Sequence, residues 1–132
     1  MKYSHLITKG VEQDLSAVAF HHSAPLKRYV MIQKDAITGD GGFRTAAHII
    51  NGVSDNVESY CELHWHDFDE INFILSNNNS LKYKIQLEDE TYTVEAPATI
   101  YIPKGIRHAA EVISGTGIYL ALTFTKDYKA QQ

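Results

Sequence analysis

The chain has 132 residues, close to the size of a single domain, and 12 basic against 16 acidic side chains leave a formal charge of −4. That balance excludes a general electrostatic grip on nucleic acid. A hydrophobic fraction of 44% excludes disorder as the default state, and no apolar run approaches the roughly 18–20 residues of a membrane span. The start of the chain carries no continuous apolar stretch, and a lone cysteine, Cys61, allows no internal disulfide. The expectation is a single cytoplasmic domain over residues 1–132.

Residues 1–26 read as an arm. Val11, Leu15, Val18 and Ala19 stand at i, i+4, i+7 and i+8 between Gly10 and Pro25, the spacing of one short amphipathic helix. The arm is expected to pack on the main body or on a second subunit. From residue 27 to 126 the pattern is that of strands. Residues 28–33 are β-rich, the glycines of 39–42 mark a turn, and 43–50 form a strand closed by the turn pair Asn51-Gly52. Strands follow at 60–66 and 70–75. Residues 81–87 alternate cleanly, with Leu81, Tyr83, Ile85 and Leu87 on one face and Lys82, Lys84 and Gln86 on the other. Further strands are expected at 91–94, 99–102, 108–113 and 118–124, the last two joined by a turn at 114–117. About nine short strands with frequent turns and no long helix predict an all-β antiparallel barrel or sandwich, in which every second residue of a strand points inward.

That parity gives the histidines a geometry. His64 and His66 share one face of a strand, Glu70 follows four residues later past a turn, and His108 arrives from a distant strand after Pro103-Lys104-Gly105. Three imidazole nitrogens and one carboxylate oxygen suit Fe(II), Mn, Ni, Zn or Cu rather than Ca or Mg. Metal ligands must converge within about 2.0–2.3 Å of the ion, which barrel closure can achieve and one strand cannot.

His64-x-His66-x-x-x-Glu70 followed by Pro103-x-Gly105-x-x-His108 resembles the two motifs of the cupin superfamily over roughly residues 27–126. The resemblance implies a small double-stranded β-helix, or jelly roll, in which His64, His66, Glu70 and His108 bind one divalent metal. The family pattern has glycine where this chain has Glu58, Asn77 and Pro97, and asparagine where it has Val112. Asn77 is expected to take the left-handed conformation of a turn glycine.

Parity from the ligands brings Tyr60, Glu62, Asn72, Ile74 and Val112 inward. It turns Cys61, Leu63 and Trp65 outward, which makes Cys61 a packed or peripheral thiol. Arg44, Ala46 and His48 share a face. If that face is inward, Arg44 and His48 can contact a substrate carboxylate, while the plainer alternatives are an ion pair of Arg44 with Glu62 or another acid and a hydrogen-bonded barrel His48. Glu62, Arg44 and His48 are therefore the catalytic candidates. Tyr101 and Tyr119 stand behind them, since the resemblance implies tyrosine as the common acid/base partner in non-oxidative members. Asp67 and Asp69 read as solvated turn residues, Arg107 as pointing away, and His21 with His22 as poor joint ligands.

A six-coordinate ion on four protein ligands keeps two positions for water, substrate or O₂. The expected function is that of a mononuclear metal-dependent enzyme, with an Fe(II) oxygenase or dioxygenase acting on a small polar metabolite as the leading form. The alternatives are an isomerase or lyase using the metal as a Lewis acid, or a non-catalytic barrel that binds a metal or small molecule. Exposed edge strands on so small a barrel predict a homodimer through the arm or first strands, with neither nucleic acid nor membrane as partner.

Overall fold

β-Branched and aromatic residues dominate the segments that become ladders. A computed structural model describes residues 1–32, 42–54, 56–125 and 127–132. Its strands are β1 (Val11–Gln13), β2 (Lys27–Ile32), β3 (Arg44–Val53), β4 (Glu70–Leu75), β5 (Lys82–Leu87), β6 (Glu90–Glu95), β7 (Ala98–Ile102) and β8 (His108–Thr123). All pairings are antiparallel, in the order β1-β2-β3-β8-β4-β7, with β5 on β8 and β6 on β5. The all-β expectation holds. The turn expected at 39–42 lies, but for Gly42, outside the described residues.

The strand that organises the barrel is β8. Its first half pairs with β5, from His108 opposite Leu87 to Ser114 opposite Lys82. Its second half lies between β3 and β4, with Thr123 opposite both Arg44 and Glu70. The sequence predicts two strands and a turn here, but the glycines at 115 and 117 bend one long strand from one sheet into the other. A Cβ on Gly115 would lie 2.1 Å from the Ser80 carbonyl oxygen, and its φ of +109° is one that side chains rarely adopt. Two backbones can cross this closely only where no side chain stands between them.

Other departures have equally local causes. Residues 11–19 are not a helix: β1 pairs with β2, and a single 3₁₀ turn at Leu15–Ala17 follows, capped by the Asp14 carboxylate accepting from Ser16 N at 3.0 Å. Strand pairing satisfies the backbone that a helix would otherwise have to satisfy. The arm still packs on the body, since Leu15 is buried and Val18, Ala24 and Leu26 lie against the core. Asn51-Gly52 does not end β3 but sits at a register shift between Ile50 and Val53, where Gly52 N donates to Thr116 Oγ1 at 2.9 Å. Asn79, not Asn77, takes the left-handed conformation in its turn.

Residues 60–66 form no ladder. They are held by single bridges, His21 to Cys61, His64 to His108 and Trp65 to Gln131, and by one carboxylate. Glu111 Oε2 accepts from Ser59 Oγ at 2.6 Å, Tyr60 N at 2.5 Å and Cys61 N at 3.0 Å, and Lys84 Nζ lies 2.9 Å from Oε1. Burial would raise the Glu111 pKa, but these donors outweigh it and lower it below the usual value. The core beneath holds Tyr60, Ile74, Leu81, Tyr83 and Ile85, all almost fully buried. Tyr60 Oη accepts from Val112 N at 2.8 Å, and the Tyr83 and Tyr119 rings stack at 4.8 Å.

The Gly115 crossing predicts that Gly115→Ala destabilises the apoprotein by about 2–4 kcal/mol, the sum of a forbidden φ and a backbone clash. Chemical denaturation would read this as a lowered midpoint, and an unchanged midpoint would remove the crossing from the fold's requirements.

Candidate metal centre

Two segments distant in sequence meet through one reciprocal backbone pair. His64 N donates to His108 O at 3.1 Å and His108 N to His64 O at 2.7 Å, which sets the two rings 4.6 Å apart. The turn after Pro103 is clamped to the first segment, because Gly105 N donates to His66 O at 2.7 Å. Gly105 has a φ of +85°, conformational freedom that a side chain would forfeit. Asp69 ties the same corner, accepting from Lys104 N at 2.9 Å and Tyr101 Oη at 2.7 Å. It is an anchor rather than a merely solvated turn residue.

His64, His66 and His108 are all buried, and one ring nitrogen of each lies within 4.8 Å of the others. Glu70, the first residue of β4, brings Oε1 to 3.4 Å from His66 Nε2 and 3.7 Å from His108 Nε2. Its Oε2 accepts from Asn72 Nδ2 at 2.7 Å, so the inward Asn72 orients the carboxylate.

The outer nitrogens test whether this group fits a cation. His64 Nδ1 faces Glu62 O at 2.7 Å, His66 Nδ1 faces Lys129 O at 2.7 Å, and His108 Nδ1 faces Ile106 O at 2.9 Å. A carbonyl only accepts, so each ring carries a proton on Nδ1, and in the neutral form its Nε2 lone pair turns inward. That is the arrangement imidazole ligands require. His108 Nε2 is buried with no hydrogen-bond partner, an expense that a cation would relieve. Burial lowers the His64 pKa to about 4 despite the Glu62 carbonyl, which keeps it neutral. Burial would raise the Glu70 pKa, but the nearby His108 and His66 rings and the Asn72 hydrogen bond hold it well below the usual carboxylate range. Burial would lower the His108 pKa, but Glu70 beside it outweighs this and raises it. Three imidazole nitrogens and one carboxylate oxygen form a set that fits a divalent transition metal.

Beside the group lies a cavity of about 340 Å³ whose lining includes His64, Glu70, Arg28, Arg44, His48 and Tyr128. The face of β3 bearing Arg44, Ala46 and His48 is therefore the inward one. Arg44 Nη2 lies 3.8 Å from Asp127 Oδ1, while Glu62 is engaged elsewhere, with His22 and Gln132. His48 is buried, and its Nε2 accepts from Arg28 Nη1 at 3.0 Å. Burial and the Arg28 charge lower its pKa to about 3, leaving a neutral ring that aims Arg28 rather than a cation that meets an anion.

Glu62 departs from expectation. It is exposed and bonded to His22 Nε2 at 3.1 Å and Gln132 Nε2 at 3.3 Å. The alternation that should have turned it inward needs a regular strand, and the single bridges at 60–66 do not provide one. For the same reason Cys61 faces the cavity lining. It is nevertheless buried, and burial pushes its thiol up to about 12. Tyr119 lines the cavity, whereas Tyr101 is exposed on Asp69. Arg107 pairs with Glu88 at 2.7 Å, away from the centre. Neither His21 nor His22 belongs to the three-histidine group.

Two cavity residues escaped the sequence reading. Arg28 lies opposite His48 across the β2–β3 ladder, a register no pattern announces, and Tyr128 comes from the irregular C-terminal segment.

No protein-family model matches the chain, and no curated protein matches it in sequence. Solved structures do match. An RmlC-like cupin from Shewanella frigidimarina NCIMB 400 is 11% identical with a TM-score of 0.56, over 87% of this chain and 83% of the other. KdgF from Halomonas sp. is 12% identical with a TM-score of 0.57, over 89% and 88%. The polyketide cyclase RemF from Streptomyces resistomycificus is 17% identical with a TM-score of 0.62, over 95% and 79%. The chain has the cupin fold. Among the described residues, no helix is long and apolar enough to cross a membrane.

His66→Ala is expected to weaken Co(II) or Zn(II) binding by more than about 100-fold, because losing only an outer-shell partner of a ligand costs roughly 10–100-fold. Equilibrium titration would measure this, and a variant that kept its metal would refute the ligand assignment.

Proposed function

We propose that this cupin barrel is a mononuclear metal-dependent enzyme acting on a small metabolite that carries a carboxylate, with His64, His66, His108 and Glu70 as the ligands. The observation carrying the proposal is that two members of the ligand group, His64 and Glu70, and two guanidiniums, Arg28 and Arg44, line one cavity of about 340 Å³. A divalent cation on these side chains supplies a Lewis acid or, as Fe(II), a site for O₂. The remaining work falls to the chain itself.

Arg28 is held from two sides, by Gln13 Oε1 accepting from Nε at 3.0 Å and by His48 on Nη1. A guanidinium so oriented binds a planar carboxylate at little entropic cost. Small apolar side chains, Ala17, Ala46, Ala110 and Ala121, leave room for the substrate's carbon frame. Tyr119 and Tyr128 border the same space with hydroxyls that can donate or relay a proton. These two hydroxyls beside a carboxylate-binding guanidinium favour non-oxidative chemistry, an isomerase or lyase, and a polyketide cyclase among the fold neighbours is in keeping with that. The Fe(II) oxygenase, the leading form on the sequence alone, becomes the second reading, supported by the donor set. Assembly belongs to the same proposal: among the described residues β1 is an edge strand, and its Val11, with Leu6 and Ile7 before it, is exposed, so a second copy of the chain is the expected cover.

Screening small carboxylic acids against the protein reconstituted with Fe(II), Mn(II), Ni(II) or Zn(II), with and without O₂, separates the readings. Turnover without O₂ is expected, and strict O₂ dependence would instead establish the oxygenase. No turnover with any metal, alongside tight carboxylate binding, would leave a binding module. Light scattering should give twice the chain mass of 14.9 kDa, and a monomer would remove the assembly claim.

A further inference from the structure

The segment after β8 does not trail into solvent. Asp127 meets Arg44 at 3.8 Å, and Tyr128 lines the cavity. The Tyr128 ring lies edge-on to His66 at 4.9 Å, with Oη 3.5 Å from His66 Nε2. Lys129 O accepts from His66 Nδ1. Gln131 and Trp65 exchange both backbone hydrogen bonds, at 2.8 and 2.9 Å, and Gln132 reaches Glu62. Of the three carbonyls that orient the imidazoles, those of Glu62 and Ile106 lie two residues from the ring they serve. Only that of Lys129 comes from a distant part of the chain.

We propose that residues 127–132 are a strap completing the metal centre: the Lys129 carbonyl fixes the tautomer of His66, and Tyr128 supplies the hydroxyl that hydrogen-bonds an anion seated against the three imidazoles. Lys129 is a positioning residue acting through its backbone, and Tyr128 is one that touches the bound anion. The inference rests on the metal reading above and adds to it a segment outside both ligand motifs. The strap's anchors are short-range and specific. The Trp65–Gln131 pair sets the register, so that Lys129 O falls opposite the ring one residue beyond Trp65. A slip of one residue would turn that carbonyl away.

Co(II) uptake followed by visible absorption tests the two halves separately. Truncation after Tyr128 is expected to weaken Co(II) binding about 10–100-fold, the effect of removing an outer-shell acceptor from a ligand histidine, while the apoprotein still melts cooperatively. Tyr128→Phe is expected to keep Co(II) affinity within about threefold, yet to weaken azide binding to the Co(II) protein about tenfold, the loss of one hydrogen bond to a charged group. Equal Co(II) affinity with and without 129–132, or a truncated apoprotein that no longer folds, overturns the role given to Lys129. Unchanged azide affinity in Tyr128→Phe overturns that of Tyr128. A full-length chain that takes up no Co(II) refutes the metal reading itself, an outcome distinct from either.

Discussion

The candidate centre depends on the exchange of two backbone hydrogen bonds between His64 and His108. Without it the two motifs are separate pieces of chain, and the rings could not stand 4.6 Å apart. The main-chain pair fixes position, while the carbonyls at Glu62, Ile106 and Lys129 fix which nitrogen faces inward. Both tasks fall to the backbone, leaving the side chains to act as donors. Three buried imidazoles brought together without a cation would lose their hydration for little return, and one of them, His108, retains an inward nitrogen with no hydrogen-bond partner.

The sequence is most informative where one period governs a segment. Residues 82–87 alternate as a half-buried strand must, and β5 runs there with Tyr83 and Ile85 buried between exposed Lys82 and Lys84. β4 has the bounds its apolar pattern implies. The four ligand candidates were legible because their residue types and spacing are unusual together, and His64, His66 and His108 converge, with Glu70 beside two of them. Parity failed at 60–62, where Glu111 rather than a neighbouring strand satisfies the backbone amides. It therefore misplaced Glu62 and Cys61. The glycines of 114–117 carried a true signal with two possible meanings, since a residue without a Cβ permits a reversal or a close crossing, and only the packing of Ser80 and Leu75 against them decides which.

The cavity shows how roles divide once burial is taken into account. His48 and Arg44 were paired in the sequence reading as two groups for one anion. Burial removes the charge from His48 and makes it a support for Arg28, a residue with no motif to mark it. The second guanidinium thus comes from across a ladder rather than from along a strand. Arg44 in turn is tied to Asp127, which links the guanidinium side of the cavity to the C-terminal segment beside the three histidines.

One covalent span, β8, starts at His108 and finishes with Thr123 opposite Glu70. It acts as a ruler whose two marks are the positions of two candidate ligands, and a hydrogen-bonded strand hardly changes length. The layers cannot part like a clamshell without breaking that ruler. Motion beside the cavity is therefore left to the arm and tail packed there, whose local loosening costs less than breathing of the barrel.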